Sequence, residues 1–522
     1  MTSKLPLLHH LRHLFIPAGL VLVGLLLFWP SFAHPFVWDD EEQIVANQAI
    51  TSLDNVPRFF LGSTFNSGGT ESLTGLYYKP LLTTSFALLY ALFGLEPAGY
   101  HVAQVLLHIG NALLLYVLLV RVWRRREAAA LLSLLFLIHP VQVESVVYIA
   151  GLQEPLFMFF GLGALLAIQR WWLLGPLLLL SLLSKETGIV FALLAPLYTL
   201  LLTGKQRLVT SLTSLTAVGV YLGLRFGVAR LPILEHNLTP INRLSLLERI
   251  PNIPKIISNY LGDLLWPQQL SIAEHWVISG LNWAEFYLPL LSCVLVAALV
   301  FYLWRHKAAQ PRESAFFALW FVLALGLHLH LVPLDFTTSD RWLYLPLIGF
   351  FAFFISLLPK AKSLFQYPQW LLFAVSLYLL LLSVRTTLRL DDWRDELTLY
   401  SHDITLSPDS FDLNNNLGVA LYRRGRFEQA QYYFHRSTEL APYWWTNWNN
   451  LGVTLEAEGR LEEAAAAYVL AIEQGDYYLA YQNYARLLIQ TEQLAAARDF
   501  LDSALQRFPH NQNLQELAKQ LY

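Results

Sequence analysis

Four consecutive carboxylates, Asp39-Asp40-Glu41-Glu42, follow the apolar Phe36-Val37-Trp38. Four acids in a row also describe a solvated turn, but the adjoining Phe-Val-Trp would hold the Asp pair at an interface rather than in bulk water. Partial desolvation and a like-charged neighbour both raise a carboxyl pKa, and a raised pKa suits a general base. Further ionisable groups recur beside apolar runs: Lys79 after Tyr77-Tyr78, His139-Pro140-Val141-Gln142-Val143-Glu144, Glu154, Ser184-Lys185-Glu186 and Asp340-Arg341-Trp342-Leu343-Tyr344. Taken singly, each reads as a snorkelling or paired structural residue; as clusters on one face they mark function, because charge at membrane depth is costly. Lys79, Lys185 and Arg341 are cations able to neutralise a phosphate as it leaves. Arg243, Arg249 and Lys255 are a second phosphate contact or a patch for anionic lipid.

The elements that must position these groups are membrane helices. Of 522 residues, 55% are hydrophobic and 14% charged, too apolar for a soluble chain of this length. A formal net charge of −3 gives no basic face for nucleic acid. The single cysteine, Cys293, precludes an intrachain disulfide or a thiolate metal cluster. His328 and His330, two apart on a helix, do not share a face and make a poor metal pair.

Eleven spans are expected, at 14–33, 99–122, 128–147, 154–170, 171–186, 187–203, 208–226, 286–304, 315–334, 342–358 and 369–387. The first reads as a retained signal anchor, although Ser31-Phe32-Ala33 also fits a small-x-small cleavage site. Segment 80–95 is decisive for topology, since counting it as a span inverts everything after it. At 1.5 Å per residue it reaches roughly 24 Å, short of the ~30 Å bilayer core, and it is placed in the interface plane. Basic residues agree: with an inside N-terminus the cytosolic junctions hold Arg121, Arg124, Arg125, Arg126, Arg170, Lys205, Arg207, Arg305, Lys307, Arg312, Lys360 and Lys362. An odd count puts loop 34–79, loop 227–285 and the C-terminal region on one non-cytosolic side. Chemistry there lacks ATP, so a donor must arrive activated, on a membrane lipid carrier.

From about residue 391 the chain turns polar and repeats with a period near 34. Leu417-Gly418, Leu421, Gly425, Ala430, Phe434 and Pro442 recur as Leu451-Gly452, Leu455, Gly459, Ala464, Tyr468 and Ala471, with a weaker third copy. This is the tetratricopeptide pattern, an α-solenoid in which small residues let paired helices cross closely. The expected division is a membrane domain, 1–390, and a repeat domain, 391–522, with a half-repeat at 393–408, repeats at 411–444, 445–477 and 478–511, and a closing helix at 512–522. Trp444, Trp445 and Trp448, with Tyr443, form an aromatic cluster suited to stacking on a peptide or sugar, although Trp448 also fits a repeat core position. Asn237-Leu238-Thr239 matches a glycosylation acceptor only weakly.

At these residues the sequence resembles the transmembrane-and-tetratricopeptide-repeat O-mannosyltransferases and, more distantly, the protein O-mannosyltransferases and lipid A aminoarabinose transferases. The likeness rests on Trp38-Asp39-Asp40, Tyr78-Lys79-Pro80-Leu81, Phe93-Gly94 through Gly99-Tyr100-His101, His139-Pro140-Val141 with Glu144-Ser145, Ser184-Lys185-Glu186, Arg341 with Leu343-Tyr344-Leu345-Pro346, and the repeats. It implies an all-α polytopic fold of the GT-C glycosyltransferase type. It also implies transfer of mannose from a polyprenyl-phosphate donor to Ser or Thr hydroxyls of a translocated protein. The base maps to Asp39, with Asp40 close behind, and the donor phosphate to Lys79, Lys185 and Arg341; Tyr78, His139, Glu144, Glu186 and Tyr344 are supporting residues. Gly151-Leu152-Gln153-Glu154 departs from the family's Gly-Arg-x-Asp.

The expected partners are therefore a lipid-linked sugar, an acceptor protein bound through the repeats, and the bilayer. No cofactor motif is legible. Two other readings share these residues: transfer of another lipid-linked sugar to a lipid or envelope glycan, and a non-catalytic membrane-anchored repeat scaffold.

Overall fold

The computed structural model describes residues 5–66, 73, 75–232, 239–359, 366–509 and 511–521, with side chains from Phe15 onward. Lys360, Lys362, Asn237 and Leu238 lie outside the described residues. Those described are helical throughout, apart from loops and one isolated bridge between Glu274 and Thr338.

All eleven apolar segments carry helix. Seven helices are long and apolar enough to cross a membrane: Phe15–Ala33, Pro97–Trp123, Ile149–Leu166, Glu186–Thr203, Arg207–Val228, Trp283–Lys307 and Gln369–Asp392. The bent pair Arg126–Ile138 and Pro140–Val147 makes an eighth. The other three expected spans rest on shorter helices, Trp171–Ser184, Pro311–Gly326 and Pro346–Ser356. This is a multi-pass membrane protein. The segment expected in the interface plane is the helix Pro80–Phe93, packed against Trp171–Ser184 and the turn Gln48–Thr51.

The helices are short because they are interrupted, and each interruption has a local cause. Proline disfavours helical geometry in the residue before it, so Arg126–Ile138 stops at His139, turns through Pro140–Gln142 and resumes at Val143 bent by 55°. The turn Asp340–Leu343 leads into the helix Pro346–Ser356, which opens on its proline. At Lys185 the backbone is extended between Trp171–Ser184 and the turn Glu186–Gly188. Gly188 makes that reversal possible: a Cβ there would sit 2.6 Å from the carbonyl carbon of Ser181 and 2.8 Å from the nitrogen of Leu182. Gly188→Ala is accordingly expected to cost about 1–3 kcal/mol, measured as a lowered thermal midpoint of the purified protein.

Polar groups tie the membrane core together. Trp123 donates to Ser356 Oγ at 3.0 Å, and the Tyr344 hydroxyl meets His108 Nδ1 at 2.9 Å and Asn111 Nδ2 at 3.2 Å. One helix stands apart. Leu288–Lys307 buries only Pro289 and touches chiefly the helix Ile253–Leu265 and the turn before it.

The last membrane helix, Gln369–Asp392, runs almost directly into the repeat region. There Glu396–Leu406 is followed by the pairs Phe411–Tyr422 with Phe427–Leu440, Trp445–Ala457 with Leu461–Gln474 and Tyr478–Gln490 with Leu494–Arg507, then by Gln512–Lys519. Gly418 and Gly452 allow the pairs to cross closely, each lying where a Cβ would come within 2.6 Å of the Phe434 or Tyr468 ring.

The junction is bolted rather than flexible. Arg389, fully buried, donates to both oxygens of the buried Asp403 at 2.7 and 3.0 Å and lies 4.0 Å from Asp340. Asp403 also accepts from the Ile272 backbone at 2.9 Å and contacts His402 Nδ1 at 2.7 Å. Beyond it, His275 meets Asp412 at 2.9 Å and the Phe411 ring at 4.5 Å, and Arg243 lies 4.0 Å over the Tyr443 ring. Long loop, last membrane helix and first repeat are thereby one packed body.

Candidate active site

The helix interruptions bring the boundary residues together. Trp38 adopts φ 57°, a left-handed conformation unusual for a bulky residue, and this turns the two following carboxylates in different directions. Asp40 turns inward. It is wholly buried and accepts from the Val37 backbone at 3.1 Å and from the Ala150 backbone at 2.6 Å. Burial pushes its carboxyl up to about 8, with these backbone donors pulling the other way.

Asp39 remains half-buried, and its Oδ2 accepts from the Tyr148 hydroxyl at 2.8 Å. Burial raises its pKa above the ordinary carboxylate value, while the Tyr148 hydrogen bond and the nearby Arg341 draw it back. The Asp pair thus has two separate jobs: Asp40 fixes the loop to the turn at Ile149–Leu152, and Asp39 presents an oxygen beside an aromatic floor. That floor is Trp38 stacked on Tyr148, ring centres 5.0 Å apart.

Arg341 lies over the same floor, 5.5 Å from the Trp38 ring, 5.7 Å from Tyr148 and 5.3 Å from Phe336. Its guanidinium donates to Glu144 Oε1 at 3.0 Å and its backbone N–H to Glu144 Oε2 at 2.9 Å. Glu144 is therefore the anchor of Arg341. Lys185 is anchored in the same way by the buried Glu154, with which it forms a direct ion pair. The Glu of the divergent Gly-Leu-Gln-Glu segment thus has a structural partner of its own.

Lys79 differs from both. Its ammonium sits 4.3 Å over the Tyr77 ring, and among the described residues no carboxylate oxygen lies within ion-pair distance. Burial lowers its pKa, with Glu186 opposing and Lys185 adding to the fall. Lys79 is the uncommitted cation of the three.

Several supporting residues face elsewhere. Tyr344 points into the bundle as described, and Tyr78 donates to the Phe60 carbonyl at 3.0 Å and packs on Tyr221. His139 is fully buried, with Nε2 on the Leu264 carbonyl at 3.1 Å and Nδ1 on the Val141 backbone at 3.4 Å, so it builds the turn that carries Glu144. Glu186 pairs with Arg225 at 2.7 Å. The tryptophans are used largely in repeat packing: Trp444 is edge-on to Phe411 at 5.0 Å, the Trp445 ring lies on the Gly475 backbone, and Trp448 donates to the Pro442 carbonyl at 2.8 Å.

The alternative phosphate cations are engaged too. Arg249 binds the His330 and Leu244 carbonyls, and Lys255 pairs with Glu285 at 3.3 Å. His328 stacks on Trp342, whereas His330 bonds the Thr337 carbonyl. Among the described residues no group of three or more His, Cys, Asp or Glu could hold a metal ion.

Two residues of the site escape sequence reasoning, Tyr148 and Asp335. Asp335 accepts from the Tyr77 hydroxyl and lies within electrostatic reach of Asp39. Its one signal is Val332-Pro333, a proline closing an apolar run two residues earlier.

An all-helical membrane domain with polar side chains gathered at helix breaks, joined to a helical-repeat tail, is the class these observations define. Family models for the tetratricopeptide repeat match residues 411–444 and 446–474. Among curated proteins, the chain is 24% identical over 484 residues to human protein O-mannosyl-transferase TMTC3, covering 81% of this chain and 51% of that one. It is 26% identical over 456 residues to protein O-mannosyl-transferase F38B6.6 of Caenorhabditis elegans, covering 83% and 63%. The chain thus resembles the transmembrane-and-tetratricopeptide-repeat O-mannosyltransferases along about four fifths of its length, and spans from about half to under two thirds of these relatives. Among solved structures, ArnT from Cupriavidus metallidurans bound to undecaprenyl phosphate aligns with a TM-score of 0.43 at 14% identity, over 87% of this chain and 79% of that one.

Proposed function

We propose that this chain is a membrane glycosyltransferase that moves mannose from a polyprenyl-phosphate-mannose donor to a Ser or Thr hydroxyl of a translocated protein. The observation carrying this reading is the half-buried Asp39 held by Tyr148 beside Arg341, in a neighbourhood that also holds the uncommitted Lys79. The names of the curated relatives support the same chemistry.

A hydroxyl is a weak nucleophile. Asp39 takes its proton as the oxygen attacks the anomeric carbon; the bond from that carbon to the phosphate oxygen breaks, and polyprenyl phosphate departs with the electron pair. Lys79 and Arg341 offset the phosphate charge, and because phosphate leaves readily no second carboxylic acid is required. A single displacement inverts the anomeric centre. Loop 34–79 and the repeats share the non-cytosolic side, where a lipid-linked donor needs no ATP; a reporter fused to the C-terminus that reads as cytosolic would refute this orientation. A passive scaffold has no use for a carboxylate of raised proton affinity beside Arg341.

The direct test is incubation of the purified protein with polyprenyl-phosphate-mannose and a Ser/Thr peptide, read by mass spectrometry. A hexose added to the peptide supports the proposal; transfer from another lipid-linked sugar but not this one overturns the donor assignment. The pH dependence supplies a finer check. Since the Tyr148 hydroxyl lowers the Asp39 pKa, Tyr148→Phe raises it, and the acid limb of the rate profile is expected to move to higher pH.

A further inference from the structure

One half-buried carboxylate beside the candidate active site has no part in the reaction as derived. Asp335 lies between the end of an apolar run, at Val332-Pro333, and Phe336. Its Oδ2 accepts from the Tyr77 hydroxyl. Burial holds that phenol well above its ordinary pKa, so the proton stays on Tyr77 and the carboxylate is the acceptor. Among the described residues Asp335 forms no ion pair, and its Oδ1 takes no partner. The cations of the site are engaged elsewhere: Arg341 by Glu144, Lys185 by Glu154, and Lys79 by the face of the Tyr77 ring. A carboxylate oxygen drawn partly out of water is costly unless a donor meets it.

The surroundings say what that donor is. On one side stands Tyr77, with its hydroxyl on Asp335 and its ring 4.3 Å beneath the Lys79 ammonium. Thr64 Oγ1 donates to the Tyr77 carbonyl at 3.0 Å and accepts from the Lys79 backbone at 2.9 Å, so Tyr77 and Lys79 are fixed as one unit. On the other side, the Phe336 ring lies 6.0 Å from Trp38, the residue before Asp39, and 5.3 Å from the Arg341 guanidinium. Asp335 is itself within electrostatic reach of Asp39. It is therefore flanked by a cation proposed to hold the donor phosphate and by the segment that carries the proposed base.

In an inverting displacement the attacking and leaving oxygens sit on opposite faces of the anomeric carbon, so the sugar ring occupies the space between base and phosphate. An ionised carboxylate only accepts. It repels a phosphate or an acidic sugar and is met by hydroxyl donors, in hydrogen bonds strengthened by its charge. The stacked rings of Trp38 and Tyr148 offer a flat face to the C–H groups of the same sugar. We infer that Asp335, aimed by Tyr77, accepts hydrogen bonds from ring hydroxyls of the donor sugar and sets the preference for a neutral hexose. This rests on the proposed reaction and names the residue that reads its sugar. A site built to hydrogen-bond a hydroxyl rejects the analogue that lacks it far more strongly than an apolar pocket rejects a size change.

The test pairs the side chain with the hydroxyl. The full chain in lipid nanodiscs is titrated calorimetrically with polyprenyl-phosphate-mannose, with its 2-, 3-, 4- and 6-deoxy analogues, and with polyprenyl phosphate alone. At least one deoxy donor is expected to bind the wild type about 10- to 100-fold more weakly than the parent, the equivalent of a lost hydrogen bond to a charged group. Asp335→Ala is expected to lose a similar factor for the parent donor, to stop distinguishing that analogue from it, and to bind polyprenyl phosphate at least as well as before. Tyr77→Phe, which keeps the ring beneath Lys79, is expected to shrink the same preference. A wild type that binds every deoxy donor as it binds the parent overturns the assignment without relying on any variant's folding. So does an Asp335→Ala protein that keeps the full discrimination, or one that loses polyprenyl phosphate as much as the mannosyl donor, since a merely structural carboxylate would do that. The expected binding pattern without sugar transfer to a peptide refutes the proposed reaction and leaves Asp335 as the sugar reader; transfer without the pattern does the reverse.

Discussion

Asp39→Asn is expected to lower sugar transfer by about 10²–10⁴-fold, the usual contribution of a positioned general base, while KM for donor and acceptor stays nearly unchanged. The variant keeps the shape of the side chain and still accepts the Tyr148 hydrogen bond, so its thermal midpoint should match the wild type. Asp40→Asn separates the two aspartates. Its carboxylate accepts two backbone N–H groups, and an amide presents only one acceptor oxygen, leaving one buried donor facing an NH₂ group. That change is expected to cost about 1–3 kcal/mol of stability and to impair activity through the loop. Steady-state kinetics and thermal unfolding on both variants check the assignment. Full activity in Asp39→Asn would remove the base from the mechanism.

Arg389→Met is the second large effect, and it acts on the junction. Removing one partner of a buried pair strands the other charge, at a cost of about 3–5 kcal/mol. Here the stranded groups are Asp403, which has lost its bidentate partner, and Asp340, the residue before Arg341. In the wild type, Arg389 and the hydrogen bonds to His402, Arg389 itself and Ile272 hold the Asp403 pKa below its ordinary value despite burial. That contribution to stability is therefore present above the unfolded value, about 3.9, and is lost as pH falls through the folded one. In Arg389→Met burial prevails, the pKa moves up, and acidification should restore stability rather than remove it. Arg389→Met with Asp403→Asn should recover most of the loss. Thermal unfolding of the three proteins across acidic and neutral pH tests this, and a single variant as stable as the wild type would refute it.

Much of this arrangement was legible in the chain. The repeats follow from their period, whereas the break at His139-Pro140 falls within a stretch that reads straight through as one span, 128–147. The Asp pair stood out because carboxylates beside Trp38 require a reason. What was not legible is pairing at long range. Nothing in a single sequence says that Arg341 takes Glu144, nearly two hundred positions away, or that Lys185 takes Glu154; without those pairings the three cations look equivalent and Lys79 is not distinguished. Direction was equally hidden. Tyr78, His139 and Tyr344 sit at the expected boundaries, yet their polar atoms turn into the protein, because a boundary position fixes depth and not the side on which an aromatic ring is buried. Tyr148 was lost in an apolar run for the opposite reason, since only the fold shows that its hydroxyl reaches Asp39. The crossing count follows the same logic: the breaks that carry site residues shorten the helices on either side of them.

The nearly naked helix Leu288–Lys307 has a material consequence. With a single principal neighbour, almost its whole circumference meets acyl chains, and since lipid tails are as apolar as leucine, no solvent force presses it onto the rest of the bundle. Its place beside the protein is thus kept by the membrane as much as by side-chain interlock. An amphiphile that replaces native lipid during extraction becomes, around this one rod, part of the tertiary structure.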